Sequence, residues 1–339
     1  MKISVLVPCF NEEPTVEASV RAVLAQTRPA DQILYVDDGS TDGTQEILRS
    51  FSNEITLCAI PENTGSKSAA QEYGLTFVEG DILITTDADT VLALTFIEEI
   101  EKSFSDPSTV AVAGHVSSVP HNWVTLARAF EYALGQHLHK RAQDHLRYIF
   151  VMPGAASAFR MSEFKKYVTF DHDTITEDLD FTYKLHLHGC TIRYNNNAVC
   201  YTQDPATVMG YLKQMRRWFG GGWQNLLKHR HMLLSSPARA LELSLAYAEG
   251  TVFSLLLLVL PVLNPILWLK SIVGYMVVVF LFAAWAALRE KRLALLLVPC
   301  YYPLFAYISV YVFLEQFVHE VVLRRNNMHW YKPARFKLS

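Results

Sequence analysis

Acidic residues are scarce in the last third of this chain. Residues 206–339 hold 15 Lys and Arg against 5 Glu and no Asp, whereas residues 1–205 hold 15 basic and 28 acidic residues. An acidic first part followed by a basic, apolar tail suits a domain docked on anionic membrane lipid, and no nucleic-acid partner is expected. Cysteine is sparse: Cys9, Cys58, Cys190, Cys200 and Cys300 contain no CxxC pair. That removes a disulfide framework and leaves reduced, buried thiols as the expectation. No GxGxxG run follows the first apolar segment, so a dinucleotide-binding oxidoreductase is disfavoured. Residues 1–30 lack the pattern of a secretory leader, and the first part is expected to lie in the cytosol. Histidines are numerous (His115, His121, His137, His139, His145, His172, His186 and His188 among them), but their spacings fit no zinc pattern. They are expected as surface or core residues.

What is present in the first part alternates between strand and helix. Residues 3–7 are an apolar run closed by Pro8 and read as a buried strand. Residues 14–26 carry Val16, Val20, Val23 and Leu24 at helical spacing. Strands follow over 33–36, 55–60 and 82–85, with helices over 45–51 and 67–78 between them. This alternation predicts an α/β fold with a parallel sheet, whose ligands sit beyond the carboxyl ends of the strands. The turns Asp37-Asp38-Gly39-Ser40 and Asp87-Ala88-Asp89 both fall there. Further on, 110–116 and 191–194 read as strands, and 123–141 and 179–188 as helices. Residues 207–228 are amphipathic, with Lys213, Arg216 and Arg217 on a basic face, as for a helix lying on a membrane surface.

Three apolar stretches follow: 243–263, interrupted by Glu249; 266–288, interrupted by Lys270; and 293–314, broken by Pro299 and Pro303. About 20 apolar residues cross a bilayer. The basic linker Arg289-Glu290-Lys291-Arg292 is expected on the cytosolic side, which makes the first two stretches a hairpin. The basic tail 324–339 has the same preference, but a single third span would carry it across. The alternative leaves 293–323 re-entrant or interfacial. The chain is thus divided into a cytosolic domain (1–205), an interface region (206–240), about two to three membrane helices (241–323) and a basic tail (324–339). It is expected as an integral protein of the plasma (inner) membrane.

Four groups of residues carry chemistry. Asp87 and Asp89 end a strand, and a carboxylate pair there can hold Mg²⁺ or Mn²⁺, hard cations that also bridge phosphates. A lone DxD is more often a solvated turn; the accompanying motifs favour the metal. The Asp37–Asp42 region is no calcium loop, because the twelfth position from Asp37 is Leu48 rather than Glu; Asp38 can instead hydrogen-bond a nucleotide base. Asp178, after Thr176 and Glu177, stands at a helix start, where the dipole favours the carboxylate form of a general base. A simple capping box explains the same residues about equally well. Gln214 and Arg217 are three apart and share a helix face; Arg217 can grip phosphate and Trp218 offers a stacking surface.

In this order and spacing the motifs resemble family 2 glycosyltransferases, specifically the membrane-embedded branch of cellulose, chitin, hyaluronan and poly-N-acetylglucosamine synthases. The resemblance rests on Val5-Leu6-Val7-Pro8-Cys9-Phe10-Asn11-Glu12-Glu13, Asp37–Ser40, Asn63-x-Gly65 with Lys67, Asp87-x-Asp89, Glu131-Tyr132, Gly154 with Arg160, Thr176-Glu177-Asp178 and Gln214-x-x-Arg217-Trp218. It covers residues 3–225. It implies a GT-A fold and inverting transfer from a nucleotide sugar, usually a UDP-sugar such as UDP-GlcNAc or UDP-glucose, to a growing β-linked polysaccharide. Carried over by position, Pro8, Asn11, Glu12 and Asp38 line the base pocket, and Lys67 meets the nucleotide or its phosphates. Asp87 takes ribose or metal, and Asp89 takes metal. Asp178 is the base beside Glu177, Gly154 leaves room for the acceptor, Gln214 and Arg217 steady the diphosphate, and Trp218 stacks on the acceptor sugar. The segment Trp330-Tyr331-Lys332-Pro333-Ala334-Arg335 is similar to that family's gating loop.

The chain departs from the family in having no apolar segment before the acidic part and one extra residue between Gly65 and Gly74. Few spans make a narrow conduit, which raises a homo-oligomer or accessory subunit as partner. The alternatives are a single transfer to a lipid acceptor and, remotely, a non-catalytic nucleotide-sugar-binding subunit.

Overall fold

The computed structural model describes residues 1–234, 237–325 and 327–328. The proposed gating segment 330–335 lies outside the described residues. Eight strands form one sheet: β1 Ile3–Cys9, β2 Gln32–Asp38, β3 Thr56–Ile60, β4 Ile82–Thr85, β5 Thr90–Leu92, β6 Thr109–Ser118, β7 Ser157–Arg160 and β8 Thr191–Thr202. Their order is β3-β2-β1-β4-β7-β6-β8-β5. Every residue of β1 is buried, because helices cover both faces of the parallel part, so the strand is a continuous apolar run rather than an alternating one. The helices are α1 Val16–Leu24, α2 Thr44–Ser50, α3 Lys67–Leu75, α4 Phe96–Ser103, α5 Trp123–Leu134, α6 Arg141–His145, α7 Met161–Tyr167, α8 Glu177–Leu187, α9 Val208–Lys228, α10 Pro237–Leu263, α11 Pro265–Arg289 and α12 Tyr302–Gln316.

The sheet is mixed where the sequence predicts a parallel one. β1 runs parallel to β2 and β4, and β2 to β3, but β7 is antiparallel to both β4 and β6. The cause is the path of the chain. After α6 it returns across the carboxyl end of the sheet and enters β7 there, so that Ser157 pairs with Thr85 at the end of β4. Residues 153–156 therefore sit beside the Asp87–Asp89 turn. Two cores sandwich the sheet, one beneath α1 and α4 and the other beneath α3, α7 and α8.

The helix predicted over 123–141 is interrupted. A π-helical turn, Gly135–Lys140, joins α5 to α6; such insertions rotate the following side chains out of the α-helical phase and are frequent at functional positions.

The membrane-like part has one hairpin. α10 and α11 are joined at Asn264, whose side chain caps α11 by accepting from the Leu267 amide at 2.9 Å. α11 has 25 residues, with an 18-residue stretch of mean hydropathy 2.2, and at 1.5 Å per residue it extends about 38 Å, enough to cross a bilayer. The residues 302–322 also reach the length and hydropathy of a span. However, α12 lies alongside α9 in parallel. Tyr211 meets Ser309 at 3.2 Å, Arg216 forks onto Glu315 with both bonds at 2.6 Å, and Gln224 donates to the carbonyl of Asn327 at 3.2 Å. Arg216 thus does not face lipid, as the amphipathic pattern of 207–228 predicts; it ties one helix to the other. The linker after α11 touches the sheet domain through Arg292, which donates to the Ser118 carbonyl at 3.2 Å.

Candidate active site

The loops after β1 and β2 are zipped together. Asn11, at φ 54°, donates its amide to Ser40 Oγ at 2.9 Å and accepts from the Thr41 amide at 2.7 Å. The Glu12 amide donates to Thr44 Oγ1 at 2.7 Å, and its carboxylate accepts from Thr15 Oγ1 at 2.8 Å. Pro8, inside β1, pairs with Val36. Asp38 spends its carboxylate on the next loop, accepting from the Thr64 amide and hydroxyl, each at 2.9 Å, and from Asn63 Nδ2 at 3.1 Å. It therefore holds the Asn63–Gly65 turn that leads into α3. These loops lie at the carboxyl ends of β1 and β2, next to the boundary between β1 and β4 where the strand order reverses.

Lys67, the first residue of α3, is the hub of the site. Its Nζ lies 2.6 Å from Asp87 Oδ1 and 3.4 Å from Glu177 Oε1. Burial works against its charge, but Asp87 and Glu177 outweigh it and keep the ammonium protonated. A Cβ on Gly154 would stand 2.7 Å from that Nζ, so a side chain here would push the lysine head away from Asp87. The Gly154 amide donates to Asp178 Oδ2 at 3.2 Å, and the Leu179 amide donates to Oδ1 at 2.9 Å. Enclosure by protein, followed by the neighbouring Glu177 charge, raises Asp178 to about 6, with Lys67 and the two amides opposing. Asp178 is thus poised near neutrality, as a general base requires. Asp89 is buried and accepts from Thr90 Oγ1 at 3.2 Å. The donor set at Asp87 and Asp89 is all oxygen and fits a hard divalent cation completed by substrate phosphates.

α9 packs on the loop that leads into Asp178. Gln214 is buried, and its Oε1 has no hydrogen-bond partner among the described residues. Arg217 is half-buried, while Trp218 keeps 37% of its surface exposed. α9 seats the Thr176-Glu177-Asp178 loop directly. A Cβ on Gly221 would fall 2.3 Å from Thr176 Oγ1, and Asn225 Nδ2 donates to that hydroxyl at 3.0 Å. Gln224 Oε1 accepts from the Ile175 amide at 3.0 Å.

Several residues here escape the sequence motifs. The Arg128 guanidinium lies 4.7 Å over the Trp218 ring, is paired to Glu131 and stands 3.3 Å from Asp204. It covers one face of the indole and fixes its orientation. Its i,i+3 spacing to Glu131 on α5 is the signal that could have revealed it. Lys140, at the end of the π-turn, donates to the Val151 carbonyl, three residues before Gly154. Burial pushes it down to about 7, against the attraction of Asp178. Asp180 meets His229 at 2.6 Å, Lys184 at 2.7 Å and Lys228 at 3.0 Å, clamping α8 to the end of α9. Conversely, Arg160 donates to the carbonyls of Thr109 and Phe104 and serves the sheet.

Residues 1–221 match the family described as "Glycosyltransferase like family 2". The chain belongs to that family. Poly-β-1,6-N-acetyl-D-glucosamine synthase of Staphylococcus epidermidis is 32% identical over 237 residues, covering 67% of this chain and 56% of that protein. The synthase of the same name from Staphylococcus aureus is 31% identical over 234 residues, with the same coverage. The chain thus spans about half the length of these relatives. Among solved structures, a mannosyltransferase from Pyrobaculum calidifontis in complex with GDP-Man and Mn²⁺ superposes with a TM-score of 0.60 at 20% identity, covering 92% of this chain and 87% of its own. TarS 1–349 of S. aureus in complex with UDP gives 0.52 at 16% identity, covering 96% and 92%. These likenesses establish the GT-A-type α/β fold, and the family makes the chain a glycosyltransferase enzyme.

Proposed function

We propose that this family 2 glycosyltransferase moves a sugar from a UDP-sugar to the hydroxyl end of a growing β-linked polysaccharide at a membrane, with Asp178 as the base. The observation that carries this reading is the convergence of Lys67, Asp87, Gly154, Glu177 and Asp178, from four separate segments, at the carboxyl end of β4. The acceptor hydroxyl gives its proton to Asp178 as its oxygen bonds to the anomeric carbon from one side. The bond from that carbon to the diphosphate oxygen breaks on the other, inverting the centre and releasing UDP. The carboxyl end of β1, beside the loops at Asn11–Glu12 and Asp38, would take the nucleotide. Lys67 would face the leaving charge, and Gln214 and Arg217 of α9 would steady the diphosphate. Trp218, held by Arg128, presents its open face to the acceptor ring. Mg²⁺ or Mn²⁺ held at Asp87 and Asp89 would neutralise the departing diphosphate. The synthase names of the relatives support a polymeric product and N-acetylglucosamine as the first donor to try.

One observation favours a second reading, a single transfer to a lipid-linked acceptor. With α12 laid along α9, the described residues offer one hairpin, α10–α11, for crossing the bilayer, and a hairpin encloses no conduit. Purified membranes given UDP-GlcNAc, UDP-glucose or other UDP-sugars with Mg²⁺ or Mn²⁺ should release UDP with one donor, and Asp178→Asn should abolish that release. A long product on a sizing gel supports the synthase. A lipid-sized product supports the single transfer, and undiminished turnover in Asp178→Asn sinks the assigned base.

A further inference from the structure

Far from these motifs in sequence, three side chains meet where the sheet domain touches the linker of the hairpin. His115 comes from β6, His137 from the π-turn and Glu290 from the residue after α11. One donor atom from each lies within 4.8 Å of the other two. Among the described residues this is the one group of three or more metal-capable side chains at that spacing. His137 Nε2 is 2.7 Å from Glu290 Oε1, and the two imidazole centroids are 4.8 Å apart. We propose that His115, His137 and Glu290 bind a divalent transition metal of the zinc class, which ties the linker of the membrane hairpin to the sheet domain.

Three features argue for a metal rather than a hydrogen bond alone. Two imidazoles with one carboxylate are a zinc-type donor set, unlike the all-oxygen pair at Asp87 and Asp89. The Tyr194 hydroxyl holds His115 Nδ1 at 2.8 Å, the kind of outer contact that orients a ligating imidazole. The π-turn also breaks the helical phase at the residue that reaches the cluster. A tetrahedral zinc with bonds of about 2.0–2.1 Å places its ligands about 3.4 Å apart. The His137–Glu290 pair, at 2.7 Å, must open by about 0.7 Å, and the widest pair must draw in by up to about 1.4 Å. Three protein ligands leave a fourth position for a water.

Sequence spacing gives no sign of this cluster, since His115 and His137 are separated by a whole strand–helix excursion and Glu290 follows 153 residues after His137. The site is independent of the transfer chemistry, so its test does not depend on turnover. The full chain, purified in detergent with Asp89→Asn to disable the oxygen site, is loaded with Zn²⁺ and dialysed against excess Mg²⁺. One zinc per chain should be retained, and Co²⁺ in its place should give the visible bands of a four-coordinate ion. Glu290→Gln keeps a hydrogen-bond acceptor for His137 while removing the carboxylate, and it should weaken Zn²⁺ binding at least tenfold; His137→Gln should do the same. Failure to retain zinc, or retention unchanged in both variants, overturns the proposal.

Discussion

At the scale of single residues, the site depends on charge balance around Asp178. Its folded value of about 6, against an ordinary 3.8, means that the folded state holds a proton over that window which the unfolded chain has lost. This residue's contribution to stability is therefore greatest at low pH and falls as pH rises through about 6, while the ionised base, and with it the rate, rises over the same range. The acid limb of kcat/KM should accordingly sit near pH 6. Lys67 opposes the shift, so Lys67→Met should move that limb to higher pH whatever it does to the maximal rate. A pH–rate profile of the two proteins checks this, and an unmoved limb would show that the base is another group. The motif residues were legible in the sequence because chemistry restricts their types and spacing. Asp38 shows the limit: its position at a strand end was legible, but its hold on the Asn63–Thr64 turn was not. Lys140 was hidden altogether, because it reaches the Gly154 loop through a π-turn that leaves no periodic trace.

At the scale of elements, α9 positions the base by packing rather than by touching it. Gly221 lets the Thr176 side chain lie against the helix backbone, and Asn225 and Gln224 bond the same loop. A glycine inside a helix costs about 1 kcal/mol relative to alanine, and here close approach requires it. Gly221→Ala should therefore lower the rate at least tenfold without raising Tm. Gly135→Ala meets no atom within 4 Å and should be neutral or slightly stabilising. Equal effects of the two substitutions on rate and Tm would remove α9 from its proposed positioning role. The parallel strands were legible from short apolar runs bounded by acidic turns. β7 was not, because Gly154-Ala155-Ala156-Ser157-Ala158 is small-residue sequence whose strand character comes from pairing on both sides with β4 and β6. β5, at three residues, is too short for any period to show.

At the scale of the whole molecule, the sequence leaves a conflict: two basic segments, 289–292 and 324–339, prefer one side of a membrane, but three spans would separate them. We propose that the pairing of α12 with α9 resolves it. α12 meets α9 at Ser309 and Glu315, and Asn327 beyond it reaches Gln224, so the helix follows an element bound to the sheet domain instead of leaving it. At its other end Tyr301 packs on Trp123 of α5 with ring centroids 5.4 Å apart. Both ends are thus on the domain side, and the charge of Arg324 and Arg325 agrees with that placement. The hairpin turn at Asn264 is the part that should emerge on the far side. In intact cells, a membrane-impermeant thiol reagent should label Asn264→Cys, while Lys291→Cys and Arg325→Cys should react only after the membrane is opened. The five native cysteines form no disulfide and are replaced by serine or alanine beforehand, so that the introduced thiol alone reports. Labelling of Arg325→Cys from outside together with protection of Lys291→Cys would mean that α12 crosses the bilayer and that its pairing with α9 does not persist in the membrane.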